Sequence, residues 1–241
     1  MKIGVAGANG RVGQILVQTI SDSKEMEFAG GFDRGDDPKP VFKAADVVID
    51  FSVPESTVMN AKMAADTGTA LIACTTGLTA DDEKILEEAA QRTVIVYASN
   101  TSLAVNVLFA LVEKAAAYLP DYDIEIIEAH HNKKVDAPSG TALTLGKTAA
   151  AARDKNFDDV AVLSREGIVG ARKEGEIGFS TVRGGDAVGE HSVVFFGEGE
   201  RIEIKQQATN RALYAQGAIR AALWTKGQSC GLYTMRDVLG L

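Results

Sequence analysis

The sequence predicts an α/β protein in which a doubly wound parallel sheet is joined to an α+β domain with a mixed sheet. Three observations carry this prediction. A strand pattern at Lys2 to Ala6 runs straight into a glycine loop and then a helical pattern. Short apolar strands then alternate with helical segments as far as Tyr97, the β-α-β series whose crossovers require parallel pairing. From Gly178 onward three strand candidates follow one another without helices between them, which points to a mixed or antiparallel sheet with helices on one face.

The chain has 241 residues, 46% of them hydrophobic and 24% charged, ordinary values for a globular protein of one large or two small domains. Its apolar runs are short and interrupted, so no membrane span is expected. Met1-Lys2-Ile3-Gly4 enters a strand at once without a signal-peptide pattern, and a cytoplasmic protein is the expectation. Cys74 and Cys230 lie far apart in no metal-like spacing and read as free, unreactive thiols. A net charge of −8 argues against nucleic acid as a partner, because phosphate binding needs a clustered basic surface. Any anionic ligand must be met by local positive charge.

The first strand leads into Gly7-Ala8-Asn9-Gly10-Arg11-Val12-Gly13, followed by Val12, Ile15, Leu16 and Ile20 at helical spacing. Strand, glycine loop and helix in that order make this half Rossmann-like, with the dinucleotide fingerprint in the variant G-x-x-G-x-x-G. Gly7 and Gly10 allow a tight turn and the approach of a pyrophosphate, and Gly13 lets the helix pack near the sheet. Asn9, Arg11 and Val12 complete the loop as candidate cofactor contacts. A tight βα turn without a ligand is the plain alternative. The next strand, Glu27 to Phe32, ends in Asp33-Arg34, about twenty residues after the loop, where an acidic residue accepts from ribose hydroxyls. Asp33 speaks for NAD, whereas Arg34 can pair with a 2′-phosphate or stack on adenine.

A polar, proline-containing loop is expected at Gly35 to Pro40, then a strand from Ala45 to Phe51 and a helix from Pro54 to Thr67 with Pro54 in its first turn. The strand Ala70 to Ala73 delivers Cys74-Thr75-Thr76-Gly77 to the carboxyl end of a parallel strand, where open α/β sheets bind ligands. Helix Thr79 to Gln91 and strand Val94 to Tyr97 complete the series. The turn-rich Ala98-Ser99-Asn100-Thr101-Ser102 marks the expected domain boundary, and Ser99 and Asn100 join Cys74, Thr75 and Thr76 as candidate cofactor contacts. Helix Leu103 to Leu119 reads as core. After a further helix, Ser139 to Arg153, the stretch from Asp154 to Lys173 is mostly loop around a short strand, Val160 to Leu163. Strands Gly178 to Arg183, His191 to Phe196 and Arg201 to Gln207 precede helices Ala212 to Trp224 and Met235 to Leu239, which return to the first domain.

The densest chemistry lies between Glu128 and Ala142. An apolar run from Ile124 to Ile127, broken by Glu125, reads as a strand that ends at Glu128 and delivers His130 and His131 into a loop. Ala137-Pro138 interrupts regular structure, and Ser139 is the natural N-cap of the next helix, with Gly140 and Thr141 in its first turn. An anion belongs at such a helix end, and Lys133 and Lys134 are close in sequence. The loop can therefore hold a carboxylate or phosphate with an imidazole within reach as proton donor. An exposed polar loop with an ordinary N-cap is the alternative. A zinc site from His130, His131 and Asp136 has neither helical His-pair nor Cys/His spacing, and no metal is expected.

With these three motifs in place, the chain resembles the bacterial 4-hydroxy-tetrahydrodipicolinate (dihydrodipicolinate) reductases over essentially its whole length. The most specific element is His130-His131-x-x-Lys134-x-Asp136-Ala137-Pro138-Ser139-Gly140-Thr141-Ala142; Ser164-Arg165-Glu166-Gly167, Arg183-Gly184-Gly185-Asp186, Gly189-Glu190-His191 and Met235-Arg236-Asp237-Val238 match as well. The resemblance implies reduction of a small cyclic dicarboxylate with NADH or NADPH in diaminopimelate and lysine synthesis. It implies His130 and Lys134 as catalytic residues, Gly140 and Thr141 as the receptor for a substrate carboxylate, and His131 as a further substrate contact. It also implies a dinucleotide-binding domain of residues 1–102 and 212–241, a substrate-binding and tetramerisation domain of residues 103–211, hinge closure between them, and a homotetramer.

Three departures bear on the cofactor rather than the reaction: a short segment between Asp33 and Asp46, Val53 where relatives often have arginine, and Thr101 where many have phenylalanine. Arg183, Asp186 and His191 read as structural residues of the tetramer sheet before substrate ligands. The competing accounts are a catalytically silent NAD(P)-binding sensor and a dehydrogenase acting on aspartate or homoserine, which would lack the continuous run from His130 to Thr141.

Overall fold

Short apolar runs build one sheet and alternating strands a second, which the computed structural model describes over residues 1–241. The chain runs through β1 (Lys2–Ala6), α1 (Arg11–Ser21), β2 (Glu27–Phe32), α2 (Lys39–Ala44), β3 (Val47–Asp50), α3 (Pro54–Thr67), β4 (Ala70–Ala73), α4 (Ala80–Ala90) and β5 (Val94–Tyr97). It continues through α5 (Leu103–Tyr118), β6 (Asp123–His130), α6 (Gly140–Ala151), α7 (Phe157–Val160), β7 (Ala161–Val162), β8 (Ile177–Arg183), β9 (Gly189–Phe196) and β10 (Arg201–Ala208). Then come α8 (Ala212–Trp224), β11 (Gly231–Tyr233) and α9 (Met235–Leu239). The contacts divide the chain into one unit of Met1–Leu103 with Arg211–Leu241 and a second of Ala104–Asn210.

In the first unit six parallel strands lie in the order β11-β5-β4-β3-β1-β2. Ile3, Val5, Val47, Ile49, Ile72 and Val96 point to one face, where α1, α8 and α9 cover them with Leu16, Ile20, Ala218 and Met235. The opposite face, Val48, Leu71 and Ile95, packs beneath α2, α3 and α4 through Phe42, Ala61, Ala64 and Leu86. Both faces are buried, so the strands read as short apolar runs. Thr79 closes a capping box with Asp82 at the start of α4, and Gly68 ends α3 in the left-handed conformation that favours glycine.

Two elements of this unit differ from the sequence reading. Residues 39–44 form α2 rather than a loop running into a strand: Pro40 occupies the first turn, where its missing N–H costs nothing, and Val41 and Phe42 anchor the helix in the core. β11 is a three-residue edge strand held by parallel pairing to β5, and its half-exposed residues carry no pattern of their own.

The second unit is a five-stranded sheet ordered β10-β9-β6-β8-β7, antiparallel across β10, β9 and β6 and parallel across β6, β8 and β7. Helices α5 and α6 cover one face, burying Leu108, Val112 and Leu145 against Ile124, Ile126, Phe179 and Phe195. The other face exposes Ile127, Val182 and Phe196. β6 does not end at Glu128: its pairing with β8 continues to His130 opposite Arg183, so His130 closes the strand and only His131 enters the loop. The short strand expected from Val160 is preceded by the single turn α7 and reduced to two residues.

Candidate active site

The cofactor candidates are built where β1, β2 and β3 end. Strand order reverses between β1 and β3, the switch point at which open α/β sheets bind ligands. Gly7 has φ 76° and sits so close to β3 that an added Cβ would lie 2.6 Å from the Phe51 carbonyl oxygen. A Cβ on Gly13 would lie 2.0 Å from the Gly7 carbonyl oxygen, so only glycine lets α1 start tight against the loop. Gly10 is the N-cap and offers no side-chain acceptor, and no acidic residue lies in the first turn. The amides at this helix end are thus left for an anion.

A cavity of about 680 Å³ opens beside the loop, lined by Gly7, Gly10, Asp33, Arg34, Ser52 and Met59 among others. Asp33 accepts the Asn9 amide at 3.0 Å, which ties the acidic residue to the glycine loop, while Arg34 is exposed. Arg11 is exposed and Val12 half-buried on α1. Cys74, Thr75, Thr76, Ser99 and Asn100 lie beyond the ends of β4 and β5 and do not line this cavity. Cys74 is buried, which pushes its thiol well above the usual range, and the Thr75 hydroxyl bonds that of Thr57 at 2.7 Å. Asn100 accepts the Ser102 amide at 2.9 Å. Val53 is exposed at the N-cap of α3, and Thr101 is buried with its hydroxyl on the Tyr214 carbonyl at 2.8 Å.

One buried carboxylate of this region escaped the sequence reading. Asp50, at the end of β3, accepts from the Ser52 amide at 2.8 Å and hydroxyl at 2.5 Å and from Asn60 at 2.9 Å. Burial raises its pKa, and these bonds oppose the rise. Its sequence signal was an acidic residue ending an otherwise apolar strand.

The second group gathers at the end of β6. Inward positions on this strand alternate Ile124, Ile126, Glu128 and His130, so the face that begins as core ends as two ionisable groups. Glu128, only 1% exposed, meets His130 Nδ1 at 2.6 Å, the Ser139 amide at 3.0 Å and both terminal nitrogens of Arg183 at 2.7 Å. Burial pushes its carboxyl up, but the bonds from His130 and Arg183 outweigh that and hold it at about 2.

Ser139 caps α6, its hydroxyl oxygen accepting the Ala142 amide at 3.2 Å, and the same hydroxyl lies 3.1 Å from His191 Nε2. Gly140 and Thr141 open the helix, where amides have no intrahelical acceptor. The His191 ring packs edge-on to His130, with centroids 5.2 Å apart. Burial, and then the His130 charge, lower His191 to about 4, against the opposing influence of Glu128 and Gln206.

Lys134 reaches Asp136 at 2.8 Å, and Asp136 is lowered because that bond and charge outweigh the burial that raises it. His131 accepts the Lys133 amide at 3.2 Å through Nδ1, while its own amide bonds the Ala187 carbonyl at 2.8 Å. The structure therefore brings His130 and the Ser139-Gly140-Thr141 helix start to one carboxylate. No group of three or more His, Cys, Asp or Glu side chains is arranged to hold a metal, and no helix is long and apolar enough to cross a membrane. Glu128, Arg183 and His191 join this cluster; from the sequence Arg183 and His191 read as structural residues of the sheet, and Glu128 carries no signal of a role.

Comparison with known proteins gives a consistent answer across the chain. A family model described as "Dihydrodipicolinate reductase, N-terminus" matches residues 1–101, and one described as "Dihydrodipicolinate reductase, C-terminus" matches residues 104–239. The chain is 47% identical over 261 residues to a 4-hydroxy-tetrahydrodipicolinate reductase of a Ruegeria species, covering 98% of this chain and 97% of that one. It is 46% identical over 250 residues to the protein of the same name from Caulobacter vibrioides, covering 100% and 97%. Among solved structures it is similar in fold to a dipicolinate-bound dihydrodipicolinate reductase from a Paenisporosarcina species, with a TM-score of 0.76, 24% identity and 98% of both chains covered.

Proposed function

The chain belongs to the dihydrodipicolinate reductase family, and from that premise we propose how its residues divide the reaction. It is an NAD(P)H-dependent oxidoreductase that reduces 4-hydroxy-tetrahydrodipicolinate to tetrahydrodipicolinate in diaminopimelate and lysine synthesis. One observation carries the assignment of roles: a buried imidazole, His130, and the start of α6 converge at the end of β6, a proton donor beside a receptor for a carboxylate.

The glycine loop fits a dinucleotide, because Gly7 and Gly13 leave no room for a side chain and the α1 end lacks a cap. Gly7, Asn9, Gly10, Arg11 and Val12 hold the pyrophosphate in this reading, Asp33 and Arg34 the adenosine end, and Cys74, Thr75, Thr76, Ser99 and Asn100 the nicotinamide side. A bound reduced nicotinamide supplies the hydride. Gly140 and Thr141 bind one substrate carboxylate with their amides, and His131 contacts the substrate. The protonated His130 or Lys134 neutralises the charge that hydride addition places on the substrate. Two substrate carboxylates account for cations concentrated in one loop of an acidic protein.

Asp33 favours NADH and Arg34 favours NADPH, and with the Arg34 side chain exposed in the same cavity both cofactors are accommodated. The division into a cofactor domain of residues 1–102 with 212–241 and a substrate and tetramerisation domain of residues 103–211 belongs to the same proposal. The outward face of the mixed sheet, with Ile127, Val182 and Phe196 exposed, supports assembly into a homotetramer, and a cytoplasmic location belongs to the same reading. Light scattering of Val182→Asp checks it, a smaller particle than the wild type being expected.

The deciding experiment follows NADH and NADPH oxidation while the unstable substrate is generated in the cuvette from pyruvate and aspartate semialdehyde by its synthase. Rapid, substrate-dependent oxidation is expected, and the ratio of the two rates reports whether Asp33 or Arg34 prevails. Protein that binds either cofactor yet oxidises neither would leave the silent sensor as the better account.

A further inference from the structure

We propose that Glu128 is the positioning residue of this site: ionised and gripped by Arg183, it fixes the His130 imidazole through Nδ1 and the start of α6 through the Ser139 amide. The proposal deepens the reductase reading and rests on it for its kinetic test.

The geometry gives Glu128 no slack. Its Oε1 takes the Ser139 amide and one Arg183 nitrogen, and its Oε2 takes His130 Nδ1 and the other. Arg183 also donates to the Asp136 carbonyl at 2.7 Å, so the same pair holds the far side of the loop that carries Lys134. For stability alone an apolar side chain would serve at this inward position, since buried ion pairs contribute little over well-packed hydrophobic groups. What a carboxylate adds is the choice of tautomer. With Nδ1–H committed to Glu128, Nε2 is the nitrogen left for a substrate, the role an orienting carboxylate plays toward a catalytic imidazole elsewhere.

The remaining groups around the imidazole agree with this. From β9, His191 faces the ring without competing for protons, because burial and the neighbouring charge keep it neutral. Its Nε2 is placed to accept from the Ser139 hydroxyl, which leaves Nδ1–H facing the Gln206 side chain, opposite it in the β9–β10 register. From the loop, Lys134 is paired with Asp136; from β8, Arg183 is spent on Glu128. Glu128 is therefore the carboxylate bonded to His130.

Two measurements test this. Glu128→Gln is expected to lower kcat roughly 10- to 100-fold, the usual cost of losing an orienting partner, with NADH affinity unchanged. Glu128→Asp should restore part of the rate. A merely structural role predicts a rate that falls only in proportion to the folded fraction, which would overturn the proposal. The second readout needs neither turnover nor a variant that folds. The chain has 3 histidines, few enough to assign by ¹⁵N NMR, and His130 in the wild type should carry its proton on Nδ1 when neutral. A neutral ring protonated on Nε2 refutes the assignment. A wild-type enzyme that shows the expected tautomer but no turnover would count against the reductase reading and leave the Glu128 geometry standing.

Discussion

Arg183 holds the carboxylate of Glu128 as a bidentate pair, Nη1 to Oε2 and Nη2 to Oε1 each at 2.7 Å, with the carboxylate buried. The two residues are 55 positions apart, and the parallel pairing of β6 with β8 brings them together diagonally, Glu128 lying two residues before His130, the register partner of Arg183. A planar guanidinium suits this contact better than an ammonium.

Removing the cation leaves a buried carboxylate uncompensated. Arg183→Met is expected to destabilise the second unit by about 3–5 kcal/mol, the range for breaking a buried pair from one side. Urea unfolding of the full chain, followed by probes in each unit, checks this; a loss below about 1 kcal/mol would mean that water or His130 alone can satisfy Glu128.

Acid should weaken the fold in two stages. In the unfolded chain His191 takes up a proton near its ordinary 6.5, whereas in the fold it stays neutral to about 4, so stability falls as pH drops through that interval. Glu128 adds to the loss lower down: its contribution is complete above the ordinary 4.5 and is lost as pH falls from there through about 2. Urea midpoints at pH 7, 5.5 and 4.5 should decline in order, and His191→Asn should flatten the first interval.

Turnover and cofactor binding should separate at Lys134. Lys134→Ala is expected to cut kcat by at least about a hundredfold while the affinity for NADH, measured by fluorescence titration, stays near the wild-type value. Unchanged turnover would remove Lys134 from the mechanism.

The glycine loop makes the opposite prediction. At Gly13 a methyl group would meet backbone, not a movable side chain, so Gly13→Ala must push α1 away from Gly7. Overpacking of this kind costs about 1–3 kcal/mol. NADH affinity is expected to fall at least about tenfold, the equivalent of ~1.4 kcal/mol, and a variant that binds NADH normally would show that the close approach is not needed.

Much of the architecture was legible in the chain. Lys2–Ala6, Ala70–Ala73 and Val94–Tyr97 are strands at the positions their apolar runs imply, and Pro54 and Ser139 stand at the helix starts that their backbone chemistry favours. The misses have physical causes. Lys39–Ala44 carries Pro40 and looks like a loop until Phe42 is seen to fill the core. Gly231–Tyr233 is a strand only because β5 offers it an edge. His130 was placed in a loop because apolar character stops at Ile127, although the inward alternation runs on through Glu128.

By itself the sequence determined what depends on near neighbours along the chain: the strand and helix periods, the glycine loop after β1, the Ser139 cap and the run from His130 to Thr141. Tertiary structure alone decided that Glu128 bonds Arg183, that Ser139 reaches His191, and that the acidic end of β3 turns inward onto Asn60. The reason lies in range. Backbone preferences and side-chain periods are local and can be read from a few residues, whereas the pairing of buried polar groups is settled only when burial has removed water and left each group the single partner that the strand register supplies.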